Sequence, residues 1–233
     1  MVNKMKKSIS LFLAAGVIVS TIISQYLIYF YAPMEQTLGL AQKIFYYHLP
    51  VAWWAFVSFF FAAVFGALYL FKKEQSFNIL SHANAEVGFL LATLTLITGS
   101  LWGKHSWGVW WTWDPKLTTA LILWFIFASY LIVRSMPMPK EQKNNICAVI
   151  AIIGFLDVPL VFLATRLWRS IHPAVFHSSG TGLEPEMMHT ILFCVLSFVF
   201  LWFWLVSYKK QQLLQELKLE TIKTKLLYEE EQK

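Results

Sequence analysis

The chain contains one run that concentrates aromatic nitrogen chemistry: Trp102-Gly103-Lys104-His105-Ser106-Trp107-Gly108-Val109-Trp110-Trp111-Thr112-Trp113-Asp114-Pro115. Indoles collect where a membrane meets water, and such a belt accounts for one or two Trp at each helix end. Five indoles in twelve residues, interleaved with glycines that let the backbone lie close, fit a platform for a planar ligand better. Aromatic faces hold other π systems by offset or edge contacts. Asp114-Pro115 is also a helix start, because Asp is a good N-cap and Pro suits the first helical position.

Two histidines flank such a platform in distant segments: His48 in Lys43-Ile44-Phe45-Tyr46-Tyr47-His48-Leu49-Pro50, and His172 in Leu167-Trp168-Arg169-Ser170-Ile171-His172-Pro173. A neutral imidazole is a common axial ligand of heme iron, and it is equally an ordinary hydrogen-bonded interfacial residue. The residues alone leave both readings standing. Lys104, Arg166 and Arg169 could meet anionic carboxylates, Arg through its planar fork, or could snorkel at the interface. Asp157, two residues before Pro159, lies inside an apolar block, where a carboxylate is costly and by default a functional candidate. A hydrogen-bonded Asp at a Pro-loosened turn is the plainer account, and both remain open.

The elements that must position these residues follow from composition. Apolar residues make up 58% of the 233 and charged residues 14%, far from the quarter of charged residues in ordinary soluble domains. The apolar residues fall into six blocks: Ser8 to Tyr31, Val51 to Phe71, Val87 to Leu101, Leu117 to Val133, Cys147 to Thr165 and Thr190 to Ser207. A bilayer-crossing helix needs ~20 such residues, because its backbone groups can be paired only within the segment. The sequence predicts an all-α integral membrane protein: a six-helix domain over 1–207 with a Trp-rich outer loop at 102–116, then a charged tail over 208–233. The first block follows Lys4, Lys6 and Lys7 but shows no small-residue cleavage site, and reads as a retained anchor.

With the N-terminus inside, 14 of the 19 Lys and Arg fall in inner segments, as the positive-inside rule requires. Both termini are then cytoplasmic, and the net charge of +6 is a topology signal, not a nucleic-acid footprint. His48, His105, His172, His177 and His189 fall at the outer face, and His82 inside. The two cysteines, Cys147 and Cys194, form no CxxC or CxxCH, so covalent c-type heme attachment is excluded.

Trp107-Gly108-x-x-Trp111-x-Trp113-Asp114 resembles the tryptophan-rich, WWD-type motif of heme-handling membrane proteins in cytochrome c biogenesis. The stretch from Trp102-Gly103-Lys104 to Lys116-Leu117-Thr118 is similar to cytochrome c maturation protein C, the CcmC or heme exporter protein C family. Tyr47-His48-Leu49-Pro50-x-Ala52 and Trp168-x-x-x-His172 resemble that family's two histidine-bearing outer segments. The resemblance runs from about Tyr46 to the sixth helix. It implies a non-enzymatic protein of the bacterial inner membrane that holds heme b non-covalently, as cargo, at the periplasmic face. His48 and His172 would be its axial ligands, and Trp107, Trp110, Trp111, Trp113 and Asp114 would complete the site. The implied partners are a periplasmic heme chaperone that receives the heme, ABC transporter subunits, a small single-span membrane subunit and membrane lipid.

Two other classes compete. A channel or transporter would string polar groups through the bilayer, and only Asp157 does so clearly. A membrane heme-b electron-transfer subunit would carry His pairs on facing helices inside the bundle. No GxxxxGK[ST] loop is present, so ATP use would belong to a partner.

Overall fold

Each apolar block becomes one long helix in the computed structural model, which describes residues 2–168, 170–172 and 183–231. The helices are α1 (Val2–Tyr26), α2 (Phe45–Lys72), α3 (Gln75–Trp107), α4 (Pro115–Ser135), α5 (Lys140–Leu167) and α6 (Pro185–Glu231). All six are long and apolar enough to cross a membrane. A π-turn, Leu27–Tyr31, extends α1, and a 3₁₀ turn, Gly39–Ile44, leads into α2. Between them the Glu35 carboxylate accepts from the Leu38 N–H. That contact, with a second from Thr37, holds its pKa below the ordinary carboxylate value.

α2 is the central helix, packed on α3, α5 and α6, while α4 leans mainly on α5 and α1 on α6. The middle of the bundle is a knot of two fully buried rings. Phe59 of α2 and Phe127 of α4 stack with centroids 3.7 Å apart. Glycines on the other two helices admit them: a Cβ on Gly88 of α3 would lie 2.6 Å from Phe59, and one on Gly154 of α5 would lie 2.7 Å from Phe127. Small residues at helix interfaces permit this close approach in membranes, where apolar burial gives no driving force between helices.

Indole N–H groups also find partners inside the bundle, as they must where water is absent. Trp54 donates to the Val195 carbonyl (2.7 Å), Trp202 to Ser58 Oγ (2.6 Å) and Trp124 to Thr93 Oγ1 (2.8 Å). These bonds pin α6 to α2 and α4 to α3.

Three helix boundaries differ from the apolar blocks. α3 continues through Trp102–Trp107, since nothing there breaks a helix until Gly108, whose φ of 76° ends it in the left-handed conformation. Only the short segment 108–114 is therefore irregular. His48 lies within the first turn of α2 and not ahead of it. The charged tail continues α6 without a break through Glu231.

Candidate functional site

One end of the bundle gathers the residues singled out above: the start of α2, the end of α3, the start of α4 and the segment after α5. His48 packs against α3. A Cβ on Gly99 would lie 3.1 Å from His48 Cε1, so this glycine makes the seat for the ring. His48 Nδ1 lies 2.9 Å from Thr98 Oγ1, whose own proton goes to the Leu94 carbonyl at 2.7 Å. With the Thr98 proton on that carbonyl, the shorter of its two backbone contacts, Nδ1 is the donor to Thr98. Nε2 then carries the free lone pair, the form a metal ligand requires.

Trp107, on the last turn of α3, meets two partners edge-on: Trp102 (centroids 5.2 Å apart) and His172 (6.5 Å). The chain then reverses. Lys104 Nζ donates to the Gly108 carbonyl at 2.9 Å, and its ammonium sits 5.9 Å from the Trp110 ring centre. Trp111 and Trp113 form a second edge-to-face pair, 6.0 Å apart. The indoles are thus two perpendicular pairs and a separate Trp110, with Trp110 and Trp113 58% and 76% exposed.

Asp114 is buried, and both of its carboxylate oxygens are engaged. Oδ1 caps α4 by accepting from the Lys116 N–H (2.9 Å), and it accepts from the Ser170 hydroxyl at 2.9 Å. Oδ2 accepts from the Ile171 N–H at 2.8 Å, and Ser170 Oγ in turn accepts from the His172 N–H at 3.1 Å. The cap was legible from Asp114-Pro115. The bonds to a segment 56 residues away left no local signal.

Three polar groups at and beside the turn are buried with no partner among the described residues: the Trp111 indole N–H and the hydroxyls of Ser106 and Thr112. Buried donors are normally satisfied, and an unsatisfied one is costly. Their chemistry suits a carboxylate-bearing planar guest such as heme. The cavity of about 130 Å³ between α1, α2 and α6 is elsewhere and too small for one, since pockets for ligands of that class run to ~300–1,000 Å³.

A family model described as CcmC, heme exporter protein C, matches residues 1–225. The chain belongs to the heme exporter protein C family. It is 31% identical over 182 residues to a mitochondrial protein of Marchantia polymorpha named for cytochrome c biosynthesis and its ccmC likeness, covering 78% of this chain and 77% of the relative. It is 28% identical over 200 residues to heme exporter protein C of Haemophilus influenzae, covering 83% and 80%. With heme exporter protein C of Escherichia coli K12 the identity is 25% over 171 residues, covering 73% and 69%. Family and helices together make the chain a multi-pass membrane protein.

Within this heme exporter C family member the other candidates separate from the site. His105 is exposed, and His189 pairs through Nδ1 with the Tyr31 hydroxyl at 3.2 Å. His82 bonds Glu86 at the opposite end. Arg166 is exposed; Arg169 and His177 lie outside the described residues. Asp157 is buried in α5, and its Oδ2 has no partner among the described residues.

Proposed function

We propose that this end of the bundle holds heme b non-covalently, as cargo, between His48 and His172, and releases it to a periplasmic heme chaperone. The Trp turn faces the periplasm of a bacterial inner membrane, with both termini in the cytoplasm. ABC transporter subunits and a small single-span membrane subunit act beside it, and no covalent chemistry is done on the cargo. The relatives named heme exporter protein C support this reading. So does the charge asymmetry of the chain.

The observation that carries it is the approach of His172 to Trp107, which brings an imidazole from a distant segment into the Trp-rich turn. His48 supplies the second imidazole. Its contacts at Thr98 and Gly99 lie eight to nine residues down α3 from Trp107, roughly 13 Å along the axis at 1.5 Å per residue. Trp110 and Trp113 offer exposed ring faces, while the Trp111 N–H and the Ser106 and Thr112 hydroxyls offer donors to carboxylates.

Absorption spectra of the purified protein with added heme test the axial pair. The parent should be low-spin. His48→Ala and His172→Ala should each shift toward high-spin, and free imidazole should partly restore the low-spin form. His105→Ala and His189→Ala should change little. A low-spin spectrum retained by both axial variants but lost in a control would move the ligand assignment. Topology is tested with reporter fusions, expected outside after Lys116 and Pro173 and inside after Lys73, Arg134 and Lys210. An inside readout at the Trp turn would overturn the proposal.

A further inference from the structure

Asp114 does more than begin a helix. Its two oxygens join the first turn of α4 to the segment that carries His172, through Ser170 and the Ile171 N–H. The His172 N–H closes the arrangement by donating to Ser170 Oγ. The imidazole opposite the Trp turn is therefore held by a short chain: Lys116 N–H to Asp114, Asp114 to Ser170 and Ile171, Ser170 to His172. Asp114 is 7% exposed, so water competes little for these bonds, and bonds to an ionised acceptor are about twice as strong as neutral ones.

We propose that Asp114 and Ser170 are positioning residues for the axial imidazole of His172, and that neither touches heme. This rests on the assignment of His172 as a heme ligand. Three of the roughly four acceptor sites of Asp114 are taken by this protein's own groups: Oδ1 accepts two bonds and Oδ2 accepts one from a backbone amide. A carboxylate held by protein donors gains nothing from approaching heme propionates, which are themselves anionic and offer it no donor. The carboxylate's contribution is instead to fix the bend at 170–172. An axial ligand on an irregular segment needs such fixing, because misplacement of a fraction of an ångström weakens ligation.

Asp114→Asn is the informative variant. Asn remains a good N-cap, but its amide cannot accept at both ends. Either the Ile171 N–H or the Ser170 and Lys116 donors must face an NH2. Ser170→Ala is the second variant; it leaves the α4 cap and the Ile171 bond whole and removes the hydroxyl that joins Asp114 to the His172 N–H. Heme-loaded protein of each would be compared with the parent and with His172→Ala by absorption spectrum and by the rate of heme loss to an apo-myoglobin trap. Both variants should give mixed low- and high-spin spectra that free imidazole drives back to low-spin, with heme loss about tenfold faster. A general loss of folding would not be reversed by imidazole. If His172→Ala changes the spectrum while Asp114→Asn and Ser170→Ala remain fully low-spin with the parent's rate, the positioning role is wrong and the ligand assignment stands. If His172→Ala leaves the spectrum unchanged, the ligand assignment fails, and the positioning role fails with it.

Discussion

The two ends of the bundle carry similar chemistry in opposite states. At the end away from the Trp turn, Arg134 donates to Asn144 Oδ1 (2.8 Å), Asn78 Oδ1 (2.7 Å) and the Tyr130 hydroxyl (2.9 Å), joining α3, α4 and α5. Beside it Glu86 takes His82 Nε2 at 2.8 Å and Lys209 at 2.6 Å, drawing in α6. Among the described residues there, Asn84 Oδ1 is the polar atom left without a partner. At the Trp end three donors within seven residues have no partner among the described residues, and two indoles stand mostly exposed. One end satisfies nearly all of its buried polar groups within the protein; the other leaves donors and flat ring faces, which suits the ligand proposed above. Polar groups held in a low-dielectric setting add rigidity when satisfied and cost stability when not.

The contrast is sharpest at Arg134. Arg134→Ala should strand the two Asn oxygens and the Tyr130 hydroxyl, lowering stability by about 2–4 kcal/mol, while the heme spectrum of the folded protein stays that of the parent. An unchanged apparent Tm would show that this end is not held by that network. A smaller, paired effect compares two indoles. Trp202→Phe breaks a bond to Ser58 and should cost about 1 kcal/mol, with no change in heme retention. Trp111→Phe removes a donor that has no partner, so apo-protein stability should hold or rise while heme loss accelerates. If both variants lose stability alike, the Trp111 N–H is satisfied in the protein alone and the contrast between the ends collapses. The smallest effect is expected at the Lys140–Glu220 pair, 2.8 Å apart but well exposed. Lys140→Ala should change stability by no more than ~0.5 kcal/mol, and a larger loss would mean the tail is moored more firmly than its exposure suggests.

The six helices were legible because bilayer length and backbone satisfaction leave apolar blocks few alternatives, and the resemblance to the heme exporter C family was carried by a contiguous motif. Boundaries were less legible. Trp102, Lys104 and Trp107 read as loop by their polarity and glycines, yet a helix persists until something stops it, and Gly103 did not. His48 fell ahead of the second apolar block, which begins at Val51, while the chain had already turned helical at Phe45. The Asp114 cap followed from two adjacent residues, but its link to Ser170 and Ile171 is a meeting of distant segments with no periodic trace. The unpaired donors at Ser106, Trp111 and Thr112 were likewise invisible, since a sequence shows which groups can donate and not which have been answered.

The unbroken course of α6 has a mechanical consequence. At 1.5 Å per residue its 47 residues make a rod of roughly 70 Å, about half of it beyond Ser207. Such a rod behaves as a lever and not as a tether: a tilt of about 5° at its base would sweep the far tip through about 6 Å. The bond from Lys209 to Glu86 moors it near the bundle, and the exposed Lys140–Glu220 pair adds a weaker contact farther along. A push on the tail is therefore delivered into the packed helices as torque instead of being absorbed by a slack chain.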